Sequence, residues 1–196
     1  VYGQWKIHES DFVKIEVAVP SVDEQRQIGE FLDTLDQQIT LHQRKLDKLK
    51  SVKQAYLSEM FPAEGERVPK RRFPGFTDAW ELRKLGEVAD IIGGGTPSTS
   101  NSEFWDGDID WYTPAEIGEQ IYVDGSERKI TQLGLDKSSA TLLPANKTIL
   151  FTSRAGIGKT AILRSDATTN QGFQSIVVDN NTEPYFIFSM TDKIKN

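Results

Sequence analysis

The sequence predicts an α+β protein, in which a long helix that forms a coiled coil is attached to a mixed α/β domain. Three observations predict this class. Apolar residues recur every three or four positions through residues 21–61, as in a coiled-coil helix. Residues 62–79 are rich in proline and glycine, which predicts a linker. Residues 80–196 combine glycine-rich turns with short β-prone runs, which is typical of a globular domain.

The composition limits the class of protein. A chain of 196 residues, 37% of them hydrophobic, can form one core and one extension. It contains no cysteine and two histidines, which disfavours disulfides, cysteine nucleophiles and metal sites. No apolar run reaches the roughly 18 residues of a membrane-spanning helix, so we expect a cytoplasmic protein with no membrane partner. Because the chain begins at Val1, we also expect a fragment.

The first predicted element is a strand within residues 10–20. Ile15, Val17 and Val19 alternate with other residues and therefore lie on one face of an extended chain. Pro20 ends the run, because proline cannot continue a strand ladder. The nearby sequence offers this strand no obvious neighbour.

The second element is the long helix. Ser21 and Glu24 predict a capping box at its start, and no proline follows until Pro62. A helix of about 40 residues is about 60 Å long, twice the diameter of a small domain, so we expect it to pair with another long helix. His42 and Lys53 interrupt the apolar seam and are interpreted as polar residues that set its register. The apolar residues predicted to pair are Ile28, Leu32, Leu35, Ile39, Leu46, Leu49, Tyr56 and Met60.

The linker, residues 62–79, contains a basic triplet. Lys70, Arg71 and Arg72 either contact phosphates or form a solvated surface, and the sequence leaves both alternatives open.

The globular domain, residues 80–196, contains three segments with a clear secondary-structure signal. The runs KTILFTS, residues 147–153, and QSIVVD, residues 174–179, predict strands. The run PYFIFSMTDKI predicts a short helix, since Pro184 suits the first turn of a helix.

The stretch TSRAGIGKTAIL, residues 152–163, is similar to a phosphate-binding loop. That motif requires a glycine where Ser153 stands, and a helix must follow it to hold the phosphate. Here the run TAIL predicts a strand instead. We therefore interpret the loop as a turn, with a nucleotide hydrolase as the alternative.

Two further motifs are also interpreted as turns. GGGT, residues 93–96, lacks the spacing of a dinucleotide-binding fingerprint and predicts a flexible turn. DGDIDW, residues 106–111, has the alternating aspartates of a calcium loop, but Trp111 and Ile117 stand where glycine and glutamate are required. We expect a polar turn there and no metal.

Polar side chains collect in or beside the predicted turns of the domain. Arginine can bind guanine, and asparagine or glutamine can bind adenine, through paired hydrogen bonds, while threonine, serine and lysine suit phosphates and base edges. Polar loops are common, so this composition alone is weak support for DNA binding. The candidate DNA-contacting residues are Thr96, Ser98, Ser153, Arg154, Lys159, Thr169, Asn170 and Gln171, and Trp111 and Thr113 belong to the same group of turns.

Several long segments together resemble the specificity subunit of type I restriction-modification enzymes. They are VAVPSVDEQRQIGEF at the start of the helix, VPKRRFPGFTDAWELRKLGEV after it, and GGGTPSTSNSEFWDGDIDWYTPAEI, SRAGIGKTAI and TTNQGFQSI in the domain. The resemblance covers essentially the whole chain.

The resemblance implies a division of the chain into parts. Residues 1–20 correspond to the closing strand of a first target recognition domain, and residues 21–61 to a conserved spacer helix. Residues 62–79 are a linker, and residues 80–196 correspond to a second target recognition domain that is incomplete at its C-terminus. The spacer helix lacks the second helix with which it pairs in the family, so we expect an antiparallel homodimer through it.

The resemblance also implies partners and a role. The chain is expected to recognise one half of a split sequence in double-stranded DNA without being an enzyme. Modification subunits that bind S-adenosylmethionine methylate adenine, and restriction subunits that use ATP and Mg cleave foreign DNA, so no cofactor is expected in this chain. The alternatives are a coiled-coil adaptor without DNA contact and a naturally shortened half subunit whose dimer recognises a palindromic split site.

Overall fold

The computed structural model describes residues 8–194, and side chains as far as residue 191. The chain divides into two compact units, Val1–Phe76 and Thr77–Asn196. The boundary between them falls inside the predicted linker. Among residues 8–194, no helix combines the length and the apolar character that crossing a membrane requires.

The N-terminal part of the first unit differs from its prediction. A four-residue helix, α1 (Glu9–Phe12), precedes irregular backbone. Ile15, Val17 and Val19 are exposed, and within residues 8–194 no strand pairs with them. The strand predicted in residues 10–20 is therefore wrong for this chain, because an alternating pattern becomes a strand only where a neighbour accepts its backbone hydrogen bonds. Its place in a further recognition domain stays a prediction.

The long helix is confirmed as α2 (Val22–Met60), which has 39 residues and is about 58 Å long. Ser21 caps it, since its Oγ accepts a hydrogen bond from the Glu24 amide at 3.3 Å. The helix ends at Met60, and the C-cap residue Phe61 has extended backbone before Pro62.

The segment after α2 folds back onto the last turn of the helix. The Arg71 Nε lies 2.6 Å from Glu59 Oε2, and the Arg71 amide donates to the Glu59 carbonyl at 2.9 Å. The same guanidinium lies 5.3 Å from the centroid of the Tyr56 ring. Arg71 of the basic triplet is therefore engaged within its own unit.

The second unit contains two sheets. The larger has the strand order β1-β8-β5-β6-β3, and the smaller has the order β4-β2-β7. Every neighbouring pair is antiparallel except β3 with β6 and β2 with β7. The strands are β1 (Ala89–Gly93), β2 (Trp105–Tyr112), β3 (Tyr122–Val123), β4 (Arg128–Ile130), β5 (Thr148–Phe151), β6 (Thr160–Leu163), β7 (Ala167–Thr169) and β8 (Gln174–Val178).

The described part of this unit also has two α-helices, α3 (Gln132–Asp136) and α4 (Pro184–Ile194). Three short 3-10 helices lie at Leu85–Glu87, Ser102–Phe104 and Pro114–Glu116. The predicted strands in residues 147–153 and 174–179 and the predicted helix at Pro184 are confirmed by β5, β8 and α4. Together with α2, these elements confirm the α+β class.

The five-stranded sheet is covered on both faces. Ile149 and Ile162 share one hydrophobic cluster with Ile187 of α4, while Leu150 and Leu163 share another with residues of the smaller sheet such as Tyr112. Successive side chains of a strand point to opposite faces, so a strand buried on both faces is apolar throughout. This explains why β5 and β6 have continuous apolar runs.

The aspartate-rich segment DGDIDW lies in a strand and not in the predicted polar turn. It belongs to β2, in which Asp110 is 6% exposed. Asp110 Oδ1 accepts hydrogen bonds from the Ser126 amide and hydroxyl, and lies 3.1 Å from Lys129 Nζ. Burial alone raises the pKa of Asp110, but the hydrogen bonds from Ser126 and Lys129 outweigh it and lower the pKa below its ordinary value.

Replacing Asp110 with asparagine is expected to lower the free energy of unfolding at pH 7 by about 2 kcal/mol, because Lys129 and Ser126 lose a charged acceptor. The pKa of Asp110 is lower in the folded chain than in the unfolded chain, where it is about 3.9. The ionised carboxylate therefore stabilises the fold at a pH above about 3.9, and this stabilisation is lost as the pH falls through the folded pKa. The variant should therefore lose less stability than the wild type below about pH 4. Urea denaturation across pH measures both effects, with exposed Asp108→Asn as the control; parallel pH curves for Asp110→Asn and the wild type would contradict this account.

Candidate nucleic-acid interface

Three loops of the second unit lie at one edge of the five-stranded sheet. Gly93, at the end of β1, pairs with Gln174, at the start of β8, and Phe151, at the end of β5, pairs with Thr160 of β6. An isolated bridge joins Thr152 to Phe173. The loops that leave these strand ends are residues 94–101, 152–159 and 170–173, which we name the loop edge.

The charge of the loop edge differs from that of the rest of the chain. The chain has 29 acidic and 23 basic residues, yet the three loops contain no aspartate or glutamate. Arg154 and Lys159 are their charged residues, and both are exposed. The loop edge therefore offers a phosphate backbone two cations and no nearby carboxylate of its own.

Gly172 joins two of the loops. Its carbonyl accepts hydrogen bonds from the Ser153 amide at 2.8 Å, the Ser153 hydroxyl at 3.1 Å and the Arg154 amide at 3.2 Å. The Gly172 amide donates to Asn170 Oδ1 at 2.8 Å. A Cβ at this position would stand 2.7 Å from Pro114 Cγ, so only glycine fits without displacement. The backbone next to Arg154 is fixed by these contacts.

The loop at residues 94–101 is fixed to the same region. The Gly95 amide donates to the Thr169 carbonyl, and the Gly95 carbonyl accepts from Trp111 Nε1, both at 2.8 Å. The Thr96 hydroxyl donates to Gln171 Oε1 at 2.5 Å. The flexible turn predicted for GGGT is therefore wrong, because its glycines allow close packing of backbone on backbone.

The loop at residues 152–159 is held by a buried threonine. The Thr152 hydroxyl accepts from the Lys159 amide at 2.9 Å and donates to the Gly156 carbonyl at 2.6 Å. Ala155, Gly156 and Gly158 have φ values of 52°, 98° and 86°, in the left-handed region that favours glycine. Strands β5 and β6 flank this loop, so it has no helix N-terminus to hold a phosphate and does not support the nucleotide hydrolase.

The structure brings most of the predicted contact residues together. Thr96 and Gln171 share a hydrogen bond, and Ser153, Arg154 and Asn170 all meet at Gly172. Lys159 closes the loop that contains Ser153 and Arg154.

Ser98 and Thr169 occupy different positions from these residues. Ser98 is exposed in its loop and its hydroxyl pairs with that of Ser100, while its carbonyl accepts from Trp105 Nε1. Thr169 is 1% exposed, so its side chain faces the interior, and we remove it from the candidate contacts. Trp111 is also buried and holds Gly95 in place.

Sequence reasoning missed the residues that position the loops. Thr152 and Gly172 make the contacts just described, but each looks like an ordinary turn residue. The partners of Thr152 lie 4 and 7 positions away, and Ser153 and Arg154 lie 19 and 18 positions from Gly172. A single sequence carries no signal for such partners.

A second exposed surface lies on α2. The apolar seam residues Ile28, Leu32, Leu35, Ile39, Leu46, Leu49 and Tyr56 are 43% to 66% exposed, and Met60 is half-buried. None of the α2 residues is buried by the part of the chain that the structure describes. Exposed apolar patches of this kind mark protein interfaces, and pairing of the seam stays a prediction.

The chain is similar in sequence to known proteins of one family. Residues 1–51 and 77–196 match the family model described as the type I restriction modification DNA specificity domain. The MjaIX specificity subunit of a type I restriction enzyme from Methanocaldococcus jannaschii is 39% identical over 111 residues, 56% of this chain and 26% of that protein. The EcoR124I/EcoR124II specificity subunit from Escherichia coli is 34% identical over 114 residues, 56% of this chain and 28% of that protein.

Solved structures show the same fold. The HsdS subunit from Thermoanaerobacter tengcongensis has a TM-score of 0.55 at 21% identity, over 91% of this chain and 44% of that one. A chain from a structure that describes complex assembly and conformational transition of the type I R-M system has a TM-score of 0.56 at 20% identity, over 90% and 42%. The chain matches about a quarter of the length of the curated relatives.

Proposed function

The chain belongs to the family of type I restriction modification DNA specificity domains, and we propose that its second unit recognises one half of a split sequence in double-stranded DNA. The match confirms the family resemblance inferred from the sequence. The observation that carries the proposal is the loop edge, where loops joined by hydrogen bonds present Arg154 and Lys159 with polar side chains and no acidic residue.

The side chains of the loop edge suit different parts of DNA. Arg154 can donate two hydrogen bonds to guanine, and Gln171 or Asn170 can pair with adenine. Thr96, Ser98 and Ser153 supply hydroxyl groups, and Lys159 supplies a point charge for phosphates. Because hydrogen bonds fix the backbone on which these groups stand, less ordering is needed on binding.

The partners that we propose follow from the family. The chain would dock modification subunits, which bind S-adenosylmethionine and methylate adenine, and restriction subunits, which use ATP and Mg. It would supply recognition and no catalytic step, and would hold no cofactor itself. We place this assembly in the cytoplasm, where it would act against foreign DNA.

The role that we propose for α2 is to set the distance between recognition domains. Its apolar seam would pair with a second long helix, and two-fold symmetry permits an antiparallel pair of identical chains. A length of about 58 Å corresponds to about 17 base pairs at 3.4 Å each. Two copies of this chain would then recognise a palindromic split site.

Replacing Arg154 with alanine is expected to reduce the DNA affinity of the modification complex about 10- to 100-fold, the cost of losing one paired base contact. A base contact should also relax the preference at one position, whereas a phosphate contact should weaken all sequences alike. Fluorescence anisotropy with matched duplexes measures both. The control is Arg164→Ala, since Arg164 follows the opposite end of β6 and stacks on Tyr122 at 3.9 Å. Equal affinities for Arg154→Ala and the wild type would remove Arg154 from the site.

A coiled-coil adaptor is the second candidate function, and the exposed seam of α2 is the observation that favours it. An adaptor would bind partner helices without touching DNA. DNA association that is absent, or that does not change with salt, in the presence of the modification subunits would support this candidate, because phosphate contacts make binding strongly salt-dependent.

A further inference from the structure

Ile157 occupies an unusual position for an apolar residue. It lies in the loop at residues 152–159 and is 72% exposed. Gly156 and Gly158 flank it, so no neighbouring side chain covers it. Arg154 and Lys159 stand on either side of it in the chain.

Single exposed apolar residues are common and need no explanation by themselves. Ile157 differs because its loop is rigid: Thr152, which is fully buried, holds both the Gly156 carbonyl and the Lys159 amide. The Gly158 amide also donates to the Thr152 carbonyl at 2.9 Å. These hydrogen bonds hold the backbone on both sides of Ile157, whose side chain is left exposed.

The loop joins two inner strands of the five-stranded sheet, β5 and β6, so the loop itself and not the strands could reach DNA. The major groove of B-DNA, about 12 Å wide, presents a distinct pattern of groups for each base pair, whereas the minor groove, about 6 Å wide, presents a degenerate one. The apolar group that base edges present in the major groove is the 5-methyl group of thymine.

We propose that Ile157 enters the major groove and packs against the 5-methyl group of a thymine in the recognised half-site. This inference rests on the proposed DNA recognition function and adds a specificity residue to it. Arg154 and Lys159 would hold the loop on the neighbouring base edges and phosphates. The remaining loops of the loop edge would contact adjacent base pairs.

The proposal is tested with uracil, which lacks the 5-methyl group of thymine but keeps its hydrogen-bonding groups. The full chain is purified with its modification subunits, and its methylated motif is determined. Duplexes in which each thymine of the motif is replaced singly by uracil are then titrated by fluorescence anisotropy. The wild type should lose affinity about fourfold at one position, as expected for one buried methyl-sized group.

The Ile157→Ala variant should bind the thymine duplex more weakly than the wild type and bind the thymine and uracil duplexes equally. Ile157→Val should keep part of the discrimination, since it keeps a branched apolar side chain. The matched control is Leu82→Ala, which truncates a residue that is 92% exposed in the same unit and should leave both affinities unchanged. Because Ile157 is exposed, the melting temperature of Ile157→Ala should equal that of the wild type.

Three results would overturn the inference. The first is the same uracil effect in Ile157→Ala as in the wild type, and the second is no position sensitive to uracil. The third is weaker capture of modification subunits by Ile157→Ala with unchanged DNA affinity, which would assign the loop to a protein contact. If the wild-type complex assembles but binds no specific DNA, the proposed function itself fails, and this inference fails with it.

Discussion

Replacing Gly94 with alanine is expected to lower the free energy of unfolding of the second unit by about 3 kcal/mol, the upper range for overpacking. A Cβ at this position would overlap the Asn170 carbonyl oxygen and stand 2.5 Å from the carbonyl oxygen of Thr169. Both oxygens belong to the backbone, so neither can move aside as the end of a flexible side chain could. The loop at residues 94–101 would have to separate from residues 169–171. Urea denaturation followed by tryptophan fluorescence measures the loss.

The control for this variant is its neighbour. At Gly93, a Cβ would meet only the Gln174 side-chain amide, at 3.8 Å, which is ordinary contact. Gly93→Ala should therefore have nearly wild-type stability. Gly94→Ala should in addition lose sequence-specific DNA binding, because the hydrogen bond between Thr96 and Gln171 would be broken. Wild-type stability of Gly94→Ala would contradict the packing of the loop edge described above.

Lengthening α2 by one heptad is expected to lengthen the gap between the two halves of the methylated motif by about three base pairs. Duplicating residues 43–49 repeats the spacing of the seam residues Leu46 and Leu49, so the apolar stripe remains continuous. Seven residues add about 10 Å to the helix, and each base pair accounts for about 3.4 Å. Long-read detection of methylated adenine measures the gap.

A five-residue insertion at the same place is the control for the heptad. It turns the following residues by about 140° about the helix axis, since each residue turns the helix by about 100°. The seam would then be interrupted, and pairing should be lost rather than extended. An unchanged gap in the heptad variant would exclude α2 as the element that sets the spacing.

The elements that the sequence predicted correctly depend on local signals. The Ser21 cap, the repeating seam and Pro62 are sufficient to define α2. The β-prone runs of β5 and β8 each contain three consecutive apolar residues, 149–151 and 176–178, because both faces of their sheet are covered.

The elements for which the sequence-based prediction was wrong depend on partners that are distant in the chain. Ile15, Val17 and Val19 have a strand pattern but no described neighbour to pair with. The aspartates in residues 106–111 suggest a turn, yet Asp110 is stabilised in a strand by Ser126 and Lys129, 16 and 19 positions later. Tertiary contacts of this kind override local propensity.

The sequence identified some residues of the candidate site but not the tertiary contacts that bring them together. Polar residues in turns identified Arg154, Asn170 and Gln171, and the pairing of β1, β5 and β8 explains why their loops share one edge. Thr169 is buried because it lies in β7, which pairs with β2, and a single sequence does not reveal that pairing.

The most direct test of the recognition function is co-expression of this chain with type I modification subunits, followed by affinity purification and long-read detection of methylated adenine on plasmid DNA. We expect a stable complex that methylates adenine in a split motif, with palindromic halves if two copies of the chain assemble through α2. A stable complex that leaves plasmid adenine unmethylated, or that methylates it without sequence preference, would contradict recognition by the loop edge.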